Sequence, residues 1–165
     1  MESRALLIRH LERSREHALR RIDDMRAHAC VAPTPRGGGH TLWTLGHLAY
    51  VEALIVHTLL RGEPHPFAAW EARFDGAEVS ADPADYPPFG DVLAAFVQGR
   101  DRTLAWLAGL TEADLDRPSA RVPAGFEGEF ATWRAGLQFV GDHTYMHRGQ
   151  LADARRAAGV DRMWV

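Results

Sequence analysis

Residues 41–60 read TLWTLGHLAYVEALIVHTLL, a helix-length stretch that is apolar around most of its circumference. Such a helix has no face it can leave in water, so other helices must enclose it. Thr41 or Thr44 supplies a capping hydroxyl at its start, and Gly62 is a C-terminal stop. The stretch predicts a helix over residues 41–61.

The rest of the chain supplies the enclosing elements. In residues 3–28, Ile8, Leu11, Ala18, Ile22 and Met25 recur at three-and-four spacing, with Arg15 interrupting the stripe. A loop follows at 31–40, where two prolines and three consecutive glycines stand together. A third helix is expected over 89–108, with Leu93, Phe96, Val97, Leu104 and Leu107 inward and Arg100 as the exception. Thr111, followed by Glu112 and Asp114, marks a capped single turn. A loop at 117–128 precedes a last helix over 129–158, which Gly159 ends. Alternating β-branched runs are nearly absent.

The expectation is therefore all-α, a four-helix bundle formed by residues 1–165 as a single domain. Residues 63–88 carry Pro64, Pro66, Pro83, Pro87 and Pro88, with room for one helical turn near 67–72. This is long for a connection within a domain and suits a long crossover between helices 2 and 3.

The formal net charge of -3 offers nucleic acid no basic footprint, although every one of the 19 basic residues is arginine. No uninterrupted apolar run reaches the roughly 18 residues of a spanning helix, and the charged N-terminus does not read as a signal peptide. The expected setting is the cytoplasm, with no membrane partner. Cys30 is the only cysteine, so no internal disulfide forms.

Nine histidines is a high count for 165 residues, and the useful question is which of them share a face. His143 and His147 stand four apart on the apolar stripe of the last helix, among Leu137, Val140, Leu151 and Ala154. Imidazoles on a buried stripe need polar partners. A metal ion is one such partner, because histidines at i and i+4 can aim two ring nitrogens at one ion. His47, on a stripe with Trp43, Val51 and Leu54, is the third candidate ligand, and Glu52 is a fourth ligand or an orienting group. The alternative is that these are core histidines bonded to backbone or carboxylates.

The other histidines fit less well. His10, His17 and His28 are expected in solvent, His40 and His65 fall in Pro/Gly-rich loops, and His57 is nearly three turns beyond His47. Trp43, Trp106, Trp133 and Trp164 are expected to fill the core or a dimer seam.

The segments TLGHLAYVE and HTYMHRGQLADARRAAG resemble the DinB-like superfamily over the whole chain, in order and length. His47, His143 and His147 match that family's metal-ligand positions, and Arg148, Gly149, Gln150 and Leu151 match the segment after its last ligand. The resemblance implies a four-helix bundle with a crossover, often a homodimer. It implies one divalent ion, zinc or nickel first and iron next. It also implies a low-molecular-weight thiol as cosubstrate, as in bacillithiol-, mycothiol- or glutathione-dependent transferases and isomerases.

Three protein ligands leave a coordination position open, the pattern of catalytic rather than structural sites. The leading reading is thus a metal-dependent enzyme that activates a small thiol, or water, against a small electrophile. The thiol would come from the substrate, since Cys30 lies far from the motif. Tyr50, Glu52, Tyr145 and Gln150 are the catalytic or orienting candidates, and Arg15 and Arg100 are possible carboxylate binders. The alternatives are a metal-binding or stress-related protein without catalysis, in which the ion stabilises the bundle or reports metal or stress status, and a pure interaction protein whose site has lost its metal.

Overall fold

A computed structural model describes residues 2–76 and 78–161, which are helical with no strand among them. Four long helices dominate: α1 (Ser3–Leu19), α2 (Thr41–Ala53), α4 (Phe89–Ala108) and α7 (Trp133–Ala157). Short helices α3 (Glu71–Phe74), α5 (Glu112–Leu115) and α6 (Glu127–Phe130) lie in the connections. Each long helix packs against two others, α1 and α2 both touching α4 and α7.

α2 continues through Leu60 as a wider π-helical stretch, Leu54–Leu60. By length and composition Thr41–Leu60 is apolar enough to cross a membrane, beyond what the run of the sequence suggested, yet 78% of that stretch is buried inside the molecule. Its cap is neither threonine. His40 is buried, accepts the Trp43 N–H on Nδ1 at 3.0 Å and donates from Nε2 to the Ser80 carbonyl at 2.9 Å.

α1 ends at Leu19, short of the expected 28, with a separate turn at Arg26–His28. The reason is not local. The Arg21 carbonyl and the Asp24 carboxylate are taken by Arg155, a fully buried side chain at the far end of α7. The last helix is also split, because Thr132 caps α7 through the Ala135 N–H and separates it from α6.

The core has two apolar clusters. One gathers Ile22, Leu45, Leu48, Phe74, Phe96 and Leu151; the other gathers Leu11, Ile55, Leu60, Leu107, Leu137 and Val140. Between them lies a polar layer. The Arg100 Nε donates to both Glu52 oxygens at 2.9 and 3.0 Å; Nη1 donates to the Leu11 carbonyl and Ser14 Oγ, and Nη2 to Thr144 Oγ1. Arg100 is not an exception to the α4 stripe, which runs through Val92, Phe96, Arg100, Thr103 and Leu107, all buried.

Trp106 packs on Trp133, whose indole N–H donates to the Leu60 carbonyl, while Trp164 lies outside the described residues.

Candidate metal centre

His143 and His147 leave α7 one turn apart, and His47 meets them from α2. The His143 Nε2 lies 3.2 Å from His47 Nε2 and 3.0 Å from His147 Nε2. All three ligand atoms fall within 4.8 Å of one another. Nitrogens arranged tetrahedrally about an ion at about 2.0–2.1 Å stand about 3.3 Å apart. The spacing fits one shared ion.

The outer nitrogens decide what the inner ones can do. His47 Nδ1 donates to the Phe74 carbonyl at 2.6 Å, and His147 Nδ1 donates to Gln150 Oε1 at 2.6 Å. Each neutral ring with its proton on Nδ1 carries a bare lone pair on Nε2. A proton on His143 Nε2 satisfies at most one of those two lone pairs. A divalent cation accepts all three.

Extra protons do not fill that role near neutrality. Burial, followed by the charges of His147 and His47, pushes the His143 imidazole down to about 3. Burial also lowers His47, against the pull of the Phe74 carbonyl and Asp75, and lowers His147, against the Gln150 hydrogen bond. Neutral imidazole is the form that ligates.

Aromatic rings flank the cluster. Trp43 stacks on His47 with centroids 4.8 Å apart and planes 9° apart, and Phe139 stacks on His143 at 5.8 Å and 15°. His143 and His147 remain partly exposed. Among the described residues no carboxylate or thiol joins the group.

Other sequence candidates fall elsewhere. Glu52 is not a fourth ligand: it is buried against Arg100, where the pair balances charge inside the core. Arg100 is likewise not a carboxylate-binding group on a surface, and Arg15 pairs with Asp101. Tyr145 leaves α7 on the side opposite His143 and packs against the His10 and His17 rings of α1, with centroids 5.6 and 5.7 Å away. Tyr50 is buried and stacks on His65. Gln150 alone of the four touches a triad member.

His10 and His17 are half-buried rather than in solvent, because Gly141 lets α1 close on α7; a Cβ there would lie 2.2 Å from the His10 ring. His28 is exposed as expected, and His57 pairs with Glu63. Sequence reasoning missed the Phe74 carbonyl and the Phe139 ring, and it placed Trp43 on the His47 stripe only as a core or seam residue. One signal was available: Gly46, in the middle of a helix, where glycine costs about 1 kcal/mol relative to alanine. A Cβ at Gly46 would lie 2.1 Å from Phe74 Cε1, so the glycine admits the Phe74 ring against α2.

These features define an all-helical protein with a three-histidine cluster able to hold a divalent metal ion. A family model of the DinB superfamily matches residues 10–151, a span that includes all three histidines. The chain belongs to the DinB superfamily. No curated protein matches it.

Proposed function

We propose that this chain is a metal-dependent enzyme in which His47, His143 and His147 hold one divalent ion, zinc or nickel first and iron next. The observation that carries this reading is the convergence of three Nε2 atoms, two of them stripped of protons by the Phe74 carbonyl and Gln150. An ion held by three imidazoles with a position open lowers the pKa of a bound water or thiol. Phe74 and Gln150 fix the ring orientations, and Trp43 and Phe139 keep water off two sides of the cluster. With Cys30 half-buried and its thiol pushed up by burial, then by Asp82, the nucleophile is a thiol of the substrate, or water.

The family supports a low-molecular-weight thiol as that substrate, acting on a small electrophile. We read the four long helices as a four-helix bundle with residues 61–88 as its crossover, and the working form as a cytoplasmic homodimer. Size-exclusion chromatography with light scattering tests the dimer.

Elemental analysis of the purified protein tests the centre. One equivalent of metal, absent from His143→Ala at retained helicity, supports it; no metal in either overturns it. Conjugation of monochlorobimane to glutathione or cysteine, lost on chelation and restored by metal, supports the transferase. Stoichiometric metal without turnover on thiol or ester substrates leaves the non-catalytic alternative.

A further inference from the structure

Met146, at 60%, and Phe126, at 49%, are among the few large apolar side chains left exposed in the described residues. Both lie on one strip that runs past the histidine cluster. On α7, Phe139, His143, Met146 and Gln150 follow at steps of four, three and four, so they share a face of the helix. That face is not the core face, which carries the buried Leu137, Val140, Thr144 and Leu151.

The strip is continuous by contact. Ring centroids stand 6.1 Å apart from Phe126 to Phe130, 4.9 Å from Phe130 to Phe139, and 5.8 Å from Phe139 to His143. Phe130 is buried beneath, Phe139 is partly exposed, and Met146 follows His143 by one turn. From Phe139 to Met146 the strip covers about 10 Å of helix. An apolar side chain alone on a surface needs no explanation, but a connected strip beside a site marks a place for a ligand.

The two sides of the cluster differ in polarity. On the α2 and α3 side the charge of Asp75 reaches His47, and the charges of Asp75 and Glu71 reach Tyr50. Both carboxylates are exposed and hydrated. An apolar group laid over them would strip that water without replacing it, whereas Phe139 and Met146 carry no charge to desolvate.

We infer, resting on the metal centre proposed above, that the electrophile attacked there carries an uncharged apolar body, a phenyl ring or short alkyl chain, which lies on Phe139 and Met146. These two side chains then set the specificity of the site toward its electrophile.

Titration calorimetry of the zinc-loaded protein with acetohydroxamate and hexanohydroxamate tests it. Both probes chelate zinc through the same two oxygens and differ by four methylenes. Hexanohydroxamate should bind about tenfold more tightly, as expected when a surface covers about half of that chain. Met146→Ser should shrink the ratio to about threefold; the side chain is exposed, so the variant folds. Leu6→Ser, which removes an exposed apolar side chain from α1, should leave the ratio unchanged. Equal binding of the two probes overturns the inference and leaves the metal centre standing. Hexanohydroxamate binding that survives zinc removal places the chain elsewhere and also overturns it. A ratio unmoved by Met146→Ser, with a change of mass by light scattering, would put a second copy of the chain on the strip instead. No zinc-dependent binding of either probe overturns the metal centre, and the inference with it.

Discussion

The His47 ring donates to the carbonyl of Phe74 at 2.6 Å, and Gly46 is what allows it. Because a Cβ at Gly46 would stand 2.1 Å from the Phe74 ring, Gly46→Ala must push α3 outward. His47 then loses the acceptor that holds its proton on Nδ1. Partners of this kind are worth about 10–100-fold in metal affinity. Overpacking a tight contact costs about 1–3 kcal/mol of stability. Competition against a chromophoric zinc chelator should show the first and urea unfolding the second. A destabilised variant with unchanged zinc affinity would remove the carbonyl from the account of the site.

Gln150 separates ligand orientation from folding more cleanly, because it is exposed and its amide oxygen meets His147 Nδ1. Gln150→Ala should leave the urea midpoint within error and lower zinc affinity about tenfold, the lower end for such a partner. Gln150→Glu keeps an acceptor there and should restore affinity. Equal zinc binding by Gln150→Ala and the wild type would show that the residue is only a neighbour.

What the sequence made legible was periodic. Leu11, Ala18, Ile22 and Met25 are buried as their spacing requires, and the four-residue step from His143 to His147 places two imidazoles together. What it hid was non-local. Nothing near Glu52 announces that Arg100, 48 residues on, takes its carboxylate, so proximity to His47 suggested ligation instead. A backbone acceptor such as the Phe74 carbonyl has no residue type to recognise. The early end of α1 depends on Arg155, 134 residues away, claiming the Arg21 carbonyl. Thr132, by contrast, was a readable cap inside the stretch assigned to one helix.

Acid should weaken the metal-free fold through the same histidines. Burial first, then His147 and His47, lower His143 to about 3 in the folded chain, while the unfolded imidazole keeps its ordinary value near 6.5. Between those values the unfolded state binds the extra proton, so stability falls as pH drops from about 6.5 toward 3. His40, His47 and His147, lowered mainly by burial, act in the same direction. Urea midpoints of the chelated protein should decline over this window, less steeply in His143→Ala. Parallel declines would mean that His143 is not the group responsible.

The Arg100–Glu52 pair tests whether the polar layer between the two clusters is held by charge or by shape. On each long helix its member falls between residues of the two clusters: Ser14 between Leu11 and Ala18, Glu52 between Leu48 and Ile55, Arg100 between Phe96 and Leu107, Thr144 between Val140 and Leu151. Arg100→Leu leaves a carboxylate uncompensated in the core and removes donors from the Leu11 carbonyl, Ser14 and Thr144. It should cost about 3–5 kcal/mol, the range for breaking a buried pair by removing one partner. Arg100→Leu with Glu52→Leu removes both charges and should recover much of that loss, because replacing a whole buried pair by apolar groups is often close to neutral. Urea unfolding of the wild type, both single variants and the double variant completes the cycle. A double variant no more stable than Arg100→Leu would mean that the contacts to Leu11, Ser14 and Thr144, rather than the ion pair, hold the four helices in register.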